Sequence, residues 1–224
     1  MLRSWFPTVA STVALAAGSG AAAGAPQRAA VSCPVAGAPS STGEIAGAIT
    51  DVLHSRVYVD RKYVGAPPLD VAAGSRVCTD EQGEAVFDLA RSGKTTLCII
   101  LPNTTLQARS PRSWPAINFE TGTAWCSFKL ADRSIGAPST LVRLTARTIR
   151  TKTIAGVAVN ARGTTVKVWS GSVLVTAGTP SQRKPLDQKH QVRINRAGRF
   201  ASVAGLSLTA EERIAIAKLR VARP

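Results

Sequence analysis

Histidine is almost missing from this 224-residue chain, with two in all, and its four cysteines include no C-x-x-C pair. Structural zinc sites draw four Cys or His ligands at short spacings, so no zinc site is expected. The nucleophile elbow G-x-S-x-G, the metalloprotease H-E-x-x-H and the EF-hand loop are also missing. SGKTT at 92–96 ends like a phosphate loop, but that motif requires glycine at position 88, where Asp88 stands. His190, three residues after Asp187, sits in a Lys- and Pro-rich stretch and reads as a solvated loop histidine. With no nucleophile, base and orienting group identifiable, neither an enzyme nor a cofactor is expected.

Long apolar runs are scarce as well. Residues 4–25 carry no charge, but Pro7, Gly18 and Gly20 interrupt them. As a spanning helix this stretch falls short of the roughly 20 apolar residues a bilayer requires. With Arg3 in front and small residues behind, it reads as an export signal at 1–25, cleaved after Ala23 or Ala25. The alternative is an uncleaved membrane anchor. Residues 26–54 read as a linker or leader, rich at first in Pro, Ser and small residues, with GEIAGAITDVL at 43–53 open as a short helix or a first strand.

An oxidising destination gives the cysteines a purpose. Cys33, Cys78, Cys98 and Cys126 are even in number and suit two disulfides, with three connectivities open. Cys98 with Cys126 is the favoured pair, because TTLCIIL and TAWCSF are both apolar and strand-like.

Acidic residues are the other shortage. Thirteen Asp and Glu face 28 Lys and Arg, for a net charge of +15, and no acid lies between Arg133 and Leu186. In an exported chain this points away from nucleic acid, toward an envelope protein, an anionic cell-wall polymer or lipid headgroups at a membrane surface. Arg143, Arg147, Arg150, Lys152, Arg162 and Lys167 are the candidate contact residues. The competing reading is a solvated basic surface that selects no partner.

What is abundant is short β-rich runs at intervals of about ten residues, bounded by Gly, Pro, Asn or Ser, which indicates an all-β sandwich, barrel or solenoid over 55–200. In GVAVNARGTTVKVWSGSVLV, Val157, Val159, Val166, Val168, Val173 and Val175 recur at period two, leaving Lys167 and Trp169 on the other face. Asn160 to Gly163 and Ser170-Gly171 supply turns. Only 201–224 reads as helix and tail: Thr209 stands three residues before Glu212, the capping-box spacing, and Lys218 and Arg220 fall in the last turn.

RVCTDEQGEAVFDL at 76–89 groups Asp80, Glu81 and Glu84 around Gly83. Calcium takes six to eight oxygens, more than this spacing offers. The expectation is strand, turn, strand, with Gly83 at positive φ and the carboxylates in water.

The order of these runs resembles the FecR domain family. Leu69, Gly74, Val77, Thr79, Gly83, the strand 85–89, then Leu101, Pro102 and Thr104 follow the family's opening half, and Val168, Gly171, Val173 and Val175 its later V-x-x-G-x-V-x-V. The family's R-G-T position falls on Thr151, Lys152 and Thr153. The resemblance implies a twisted β-solenoid-like or sandwich-like domain outside the cytoplasmic membrane. It does not carry over the anti-sigma role, because the long cytoplasmic segment and central membrane helix of such regulators have no counterpart here. The expected function is an exported, non-catalytic domain that binds or senses an envelope partner. The alternative is a membrane-anchored signal-transduction component.

Overall fold

The computed structural model describes residues 43–54, 56–89, 96–110, 115–128, 134–137, 142–147 and 152–221. The expected signal at 1–25 and most of the leader lie outside them. The strands in chain order are β1 (Ile45–Leu53), β2 (Val57–Val59), β3 (Lys62–Tyr63), β4 (Leu69–Ala72), β5 (Arg76–Thr79), β6 (Glu84–Asp88), β7 (Leu97–Ile100), β8 (Thr105–Ala108) and β9 (Ile117–Phe128). They continue with β10 (Ser134–Ala137), β11 (Val142–Ala146), β12 (Thr153–Asn160), β13 (Gly163–Ser170), β14 (Ser172–Ala177), β15 (Gln182–Asp187), β16 (His190–Asn195) and β17 (Phe200–Gly205). One helix, α1 (Ala210–Val221), follows. The all-β fold with a short C-terminal helix is as the sequence indicates.

These strands form one open 17-stranded sheet doubled into two facing layers. The first layer runs β4-β1-β6-β7-β9-β12-β13-β16-β17. The second runs β3-β2-β5-β8-β9-β10-β11-β14-β15. Strand β9 belongs to both. Its residues 117–121 pair with β8 and β10 in the second layer, and its residues 122–128 with β7 and β12 in the first. The change of layer falls at Gly122, whose φ is +90° and whose position leaves no room for a side chain: a Cβ would lie 2.3 Å from Thr104 Oγ1. Glycine alone meets both demands.

Beyond β9 the chain alternates, placing the hairpins β10–β11 and β14–β15 in the second layer and β12–β13 and β16–β17 in the first. The period-two valines explain this. Val157, Val159, Val166, Val168, Val173 and Val175 all enter the core between the layers, where Phe87, Phe119 and Phe128 also lie. Each such side chain contributes about 1.5–3 kcal/mol on burial. Asn160 to Gly163 closes a hairpin as expected, whereas Ser170-Gly171 carries the chain from one layer to the other.

The outer face of the first layer is covered by α1. Ala215, Ile216 and Leu219 pack on Ile99, Leu101, Trp125 and Ile154, with Trp169 beside them. The capping box forms: the Thr209 backbone N–H donates to Glu212 Oε2 at 2.9 Å, and the Glu212 N–H to Thr209 Oγ1 at 3.3 Å.

Three expectations change. Residues 45–53, grouped with the leader and open to a short helix or a first strand, form the strand β1, with Ala46, Ala48 and Ile49 buried against β4 and β6; their Gly/Ala-rich pattern has no clear period. Residues 201–205, assigned to the C-terminal helix and tail, belong to β17. In the 76–89 segment the strand-turn-strand arrangement holds, with Asp80 Oδ1 accepting the N–H groups of Gln82 and Gly83. Yet Gly83 is not among the positive-φ residues; it is required because a Cβ would lie 2.3 Å from the Arg56 carbonyl oxygen. Glu84 is not in water either, being buried and ion-paired to Lys218 at 2.8 Å.

Candidate anion-binding cleft

On the second layer, alternate residues point away from the core. In register across four neighbouring strands stand Asn118 of β9, Gly136 of β10, Arg143 of β11 and Thr176 of β14. Gly136 is covered by Pro115, since a Cβ there would lie 2.6 Å from Pro115 Cγ and 3.2 Å from Asn118 Oδ1. Beside it opens a cleft of about 400 Å³, lined by Arg109, Pro115, Asn118, Arg143, Thr176 and Ser181. Arg109 extends beyond the end of β8, while Thr179 and Ser181 come from the turn joining β14 to β15.

Among the described residues no acid lines this cleft. Both arginines are exposed, so their guanidinium groups keep several free donors for a carboxylate or phosphate in a forked geometry. Asn118 differs from them. It is largely buried, at 8% exposed, and lines the cleft. Its side-chain amide offers both a donor and an acceptor to a ligand. The chemistry on offer is charge neutralisation and hydrogen bonding.

The predicted cations do not form one surface. Arg143 lies in the cleft. Arg147 is exposed just beyond the other end of β11, and Arg162 is exposed in the β12–β13 turn of the opposite layer. Lys167 is not available to a partner: its Nζ is 2.8 Å from both carboxylate oxygens of the buried Glu212. Lys152 donates to the Leu219 carbonyl at the end of α1. Arg150 lies outside the described residues. Outward alternation places Lys167 beside Trp169 as predicted, but α1 covers that face.

Arg109, Asn118 and Thr176 escape a reading of the sequence, because only cross-strand register brings them to Arg143. Two further grooves flank the first half of α1, but Glu84 and Glu211 line one and Glu81, Glu211 and Glu212 the other, which disfavours anions there.

Cys98 and Cys126 face one another on β7 and β9 with their Cα atoms 4.0 Å apart and are joined in a disulfide, the favoured pairing. Cys78 is also disulfide-bonded, and Cys33 lies outside the described residues. Among the described residues no group of three or more His, Cys, Asp or Glu stands ready for a metal, and no helix is long and apolar enough to cross a membrane.

No protein-family model matches this chain, and no curated protein matches it either.

Proposed function

We propose that this chain is an exported, non-catalytic β domain that binds an anionic partner of the cell envelope through the cleft of Arg109 and Arg143. The observation that carries the reading is the cleft itself: two exposed guanidinium groups and the Asn118 amide converge where no acid stands among the described residues. Export is supported by the composition of residues 1–25 and by the Cys98–Cys126 bridge, which suits an oxidising compartment. The FecR-like order of motifs belongs to the same proposal and contributes its extracytoplasmic setting.

The test is retention of the purified chain on host cell-wall material across a salt series. Contacts between exposed charges weaken as the Debye length shrinks from about 10 Å at 0.1 M to 3 Å at 1 M. Retention should fall steeply over that range. Arg143→Gln should weaken it about tenfold, in keeping with the roughly 1.5–3 kcal/mol of a hydrogen bond to a charged group. Arg162→Gln removes the same charge away from the cleft and should change little. Retention indifferent to salt, or equal loss in both variants, overturns the assignment.

A further inference from the structure

The cleft is part of a longer alignment. Five successive registers connect Gln107 to Asn118, Asn118 to Gly136, Gly136 to Arg143, Arg143 to Thr176, and Thr176 to Arg183. These six residues occupy β8, β9, β10, β11, β14 and β15, and all lie on the outward side of the second layer: the chain neighbours Leu106, Phe119, Ile135, Leu144 and Val175 of the first five face the core, as does Leu186, an odd three positions from Arg183. At a strand spacing of about 4.8 Å the row is roughly 24 Å long. Arg183 is exposed at the edge strand, two strand steps or roughly 10 Å from Arg143.

The row has a direction. Its inner end meets Arg76, the register partner of Gln107, but Arg76 Nε lies 2.9 Å from Glu120 Oε1, and that carboxylate repels an anionic chain. Its outer end runs off β15 into solvent. Between these ends, two cations share the row with neutral hydrogen-bonding groups: the amides of Gln107 and Asn118, Gly136 beneath Pro115, Arg143, the hydroxyl of Thr176, and Arg183.

We infer that this row is a track for one linear anionic polysaccharide lying across the strands, with the cleft as its central subsite. The inference rests on the anion-binding reading of the cleft and names its ligand. Arg143 and Arg183 take acidic groups that recur at about 10 Å along the chain, a distance fixed by strand spacing. The amides and the hydroxyl between and beside them match sugar hydroxyls. A ligand without hydroxyl groups, such as polyphosphate, leaves those neutral groups without a role. Among the described residues neither the row nor the cleft supplies an aromatic ring, the stacking platform that single-stranded nucleic acid requires.

The experiment is calorimetric binding to the full chain at about 0.15 M salt. The probes are galacturonate, its linear oligomers of increasing length, and long-chain polyphosphate. Affinity for the oligomers should rise with length and level off once the row is spanned. Arg183→Gln should weaken the long oligomers about tenfold and leave galacturonate unchanged, whereas Arg143→Gln should weaken both. Arg193→Gln, at an exposed position on β16 of the other layer, should affect neither. Arg143-dependent binding of galacturonate with no gain for longer chains eliminates the track and leaves the cleft standing. Absence of Arg143-dependent binding by every probe removes both. Tighter, Arg183-dependent binding of polyphosphate overturns the choice of polysaccharide, and equal losses in Arg183→Gln and Arg193→Gln reduce the track to general surface charge.

Discussion

The indole of Trp125 lies against the backbone of Gly156, its opposed partner on β12, so closely that a Cβ at Gly156 would come within 2.6 Å of the indole Cε2. Trp125 is fully buried and points outward from the first layer into the cluster beneath α1. Gly156 is therefore the recess that lets the largest buried side chain lie flat, and the helix rests on the surface it makes.

Gly156→Ala should displace the ring and loosen α1. Overpacking of this kind costs about 1–3 kcal/mol. For a chain of this size each kcal/mol lowers Tm by about 2–4 °C. Thermal unfolding followed by tryptophan fluorescence measures it, and an unchanged Tm with unchanged emission would show that the recess is not needed.

The helix is also held by charge. Glu212 is buried and joined by both carboxylate oxygens to Lys167, so Lys167→Met strands a carboxylate away from water. Breaking one side of such a pair costs about 3–5 kcal/mol. Adding Glu212→Gln removes the stranded charge and should recover a large part of the loss. Urea unfolding of the two variants decides; a double variant no better than the single one contradicts this account.

The two disulfides make separate claims. Cys98–Cys126 spans a sequence separation of 28, for which chain-entropy arguments predict a loss of about 3–4 kcal/mol on replacement by alanines. Non-reducing peptide mapping should recover Cys98 linked to Cys126. With that pair formed, Cys33 is the only cysteine left for Cys78, so their peptides should be recovered joined; a free thiol at either position refutes it.

Lys189 places its ammonium over the face of Trp169, 2.9 Å from the ring centroid. The ring favours the charge. Removal of water and, secondarily, the nearby Arg220 outweigh it and hold the Lys189 pKa below the ordinary lysine value. Between the folded and unfolded pKa values the unfolded chain binds more protons, so stability should rise with pH across that alkaline interval and level off above it. Arg220→Gln should move the Lys189 titration upward in an NMR experiment, and a downward shift would reverse the assignment of cause.

How much of this was legible depended on whether the signal was local. Val157 to Val175 announced their strands by alternation, and Thr209 with Glu212 announced the helix start through spacing alone. Glu84 and Lys167 were misplaced because their partners, Lys218 and Glu212, stand 134 and 45 residues away. β1 is ambiguous between helix and strand because its small residues show no period, and their burial is enforced by neighbours: at Gly47 a Cβ would lie 2.3 Å from the Asp88 carbonyl oxygen. In the cleft, Arg143 was visible as charge, but its placement beside Asn118 rests on strand order.

Gly122 has a consequence for how this molecule comes apart. Because the strand that bends there is hydrogen-bonded into both layers, cutting the chain on either side of it deprives one fragment of an interior strand and leaves two unprotected sheet edges, a known route to aggregation. The two halves are therefore not autonomous modules that happen to be adjacent. They share a seam, and denaturation should travel through it as a single cooperative event, so that a partner gripping the second layer also braces the first.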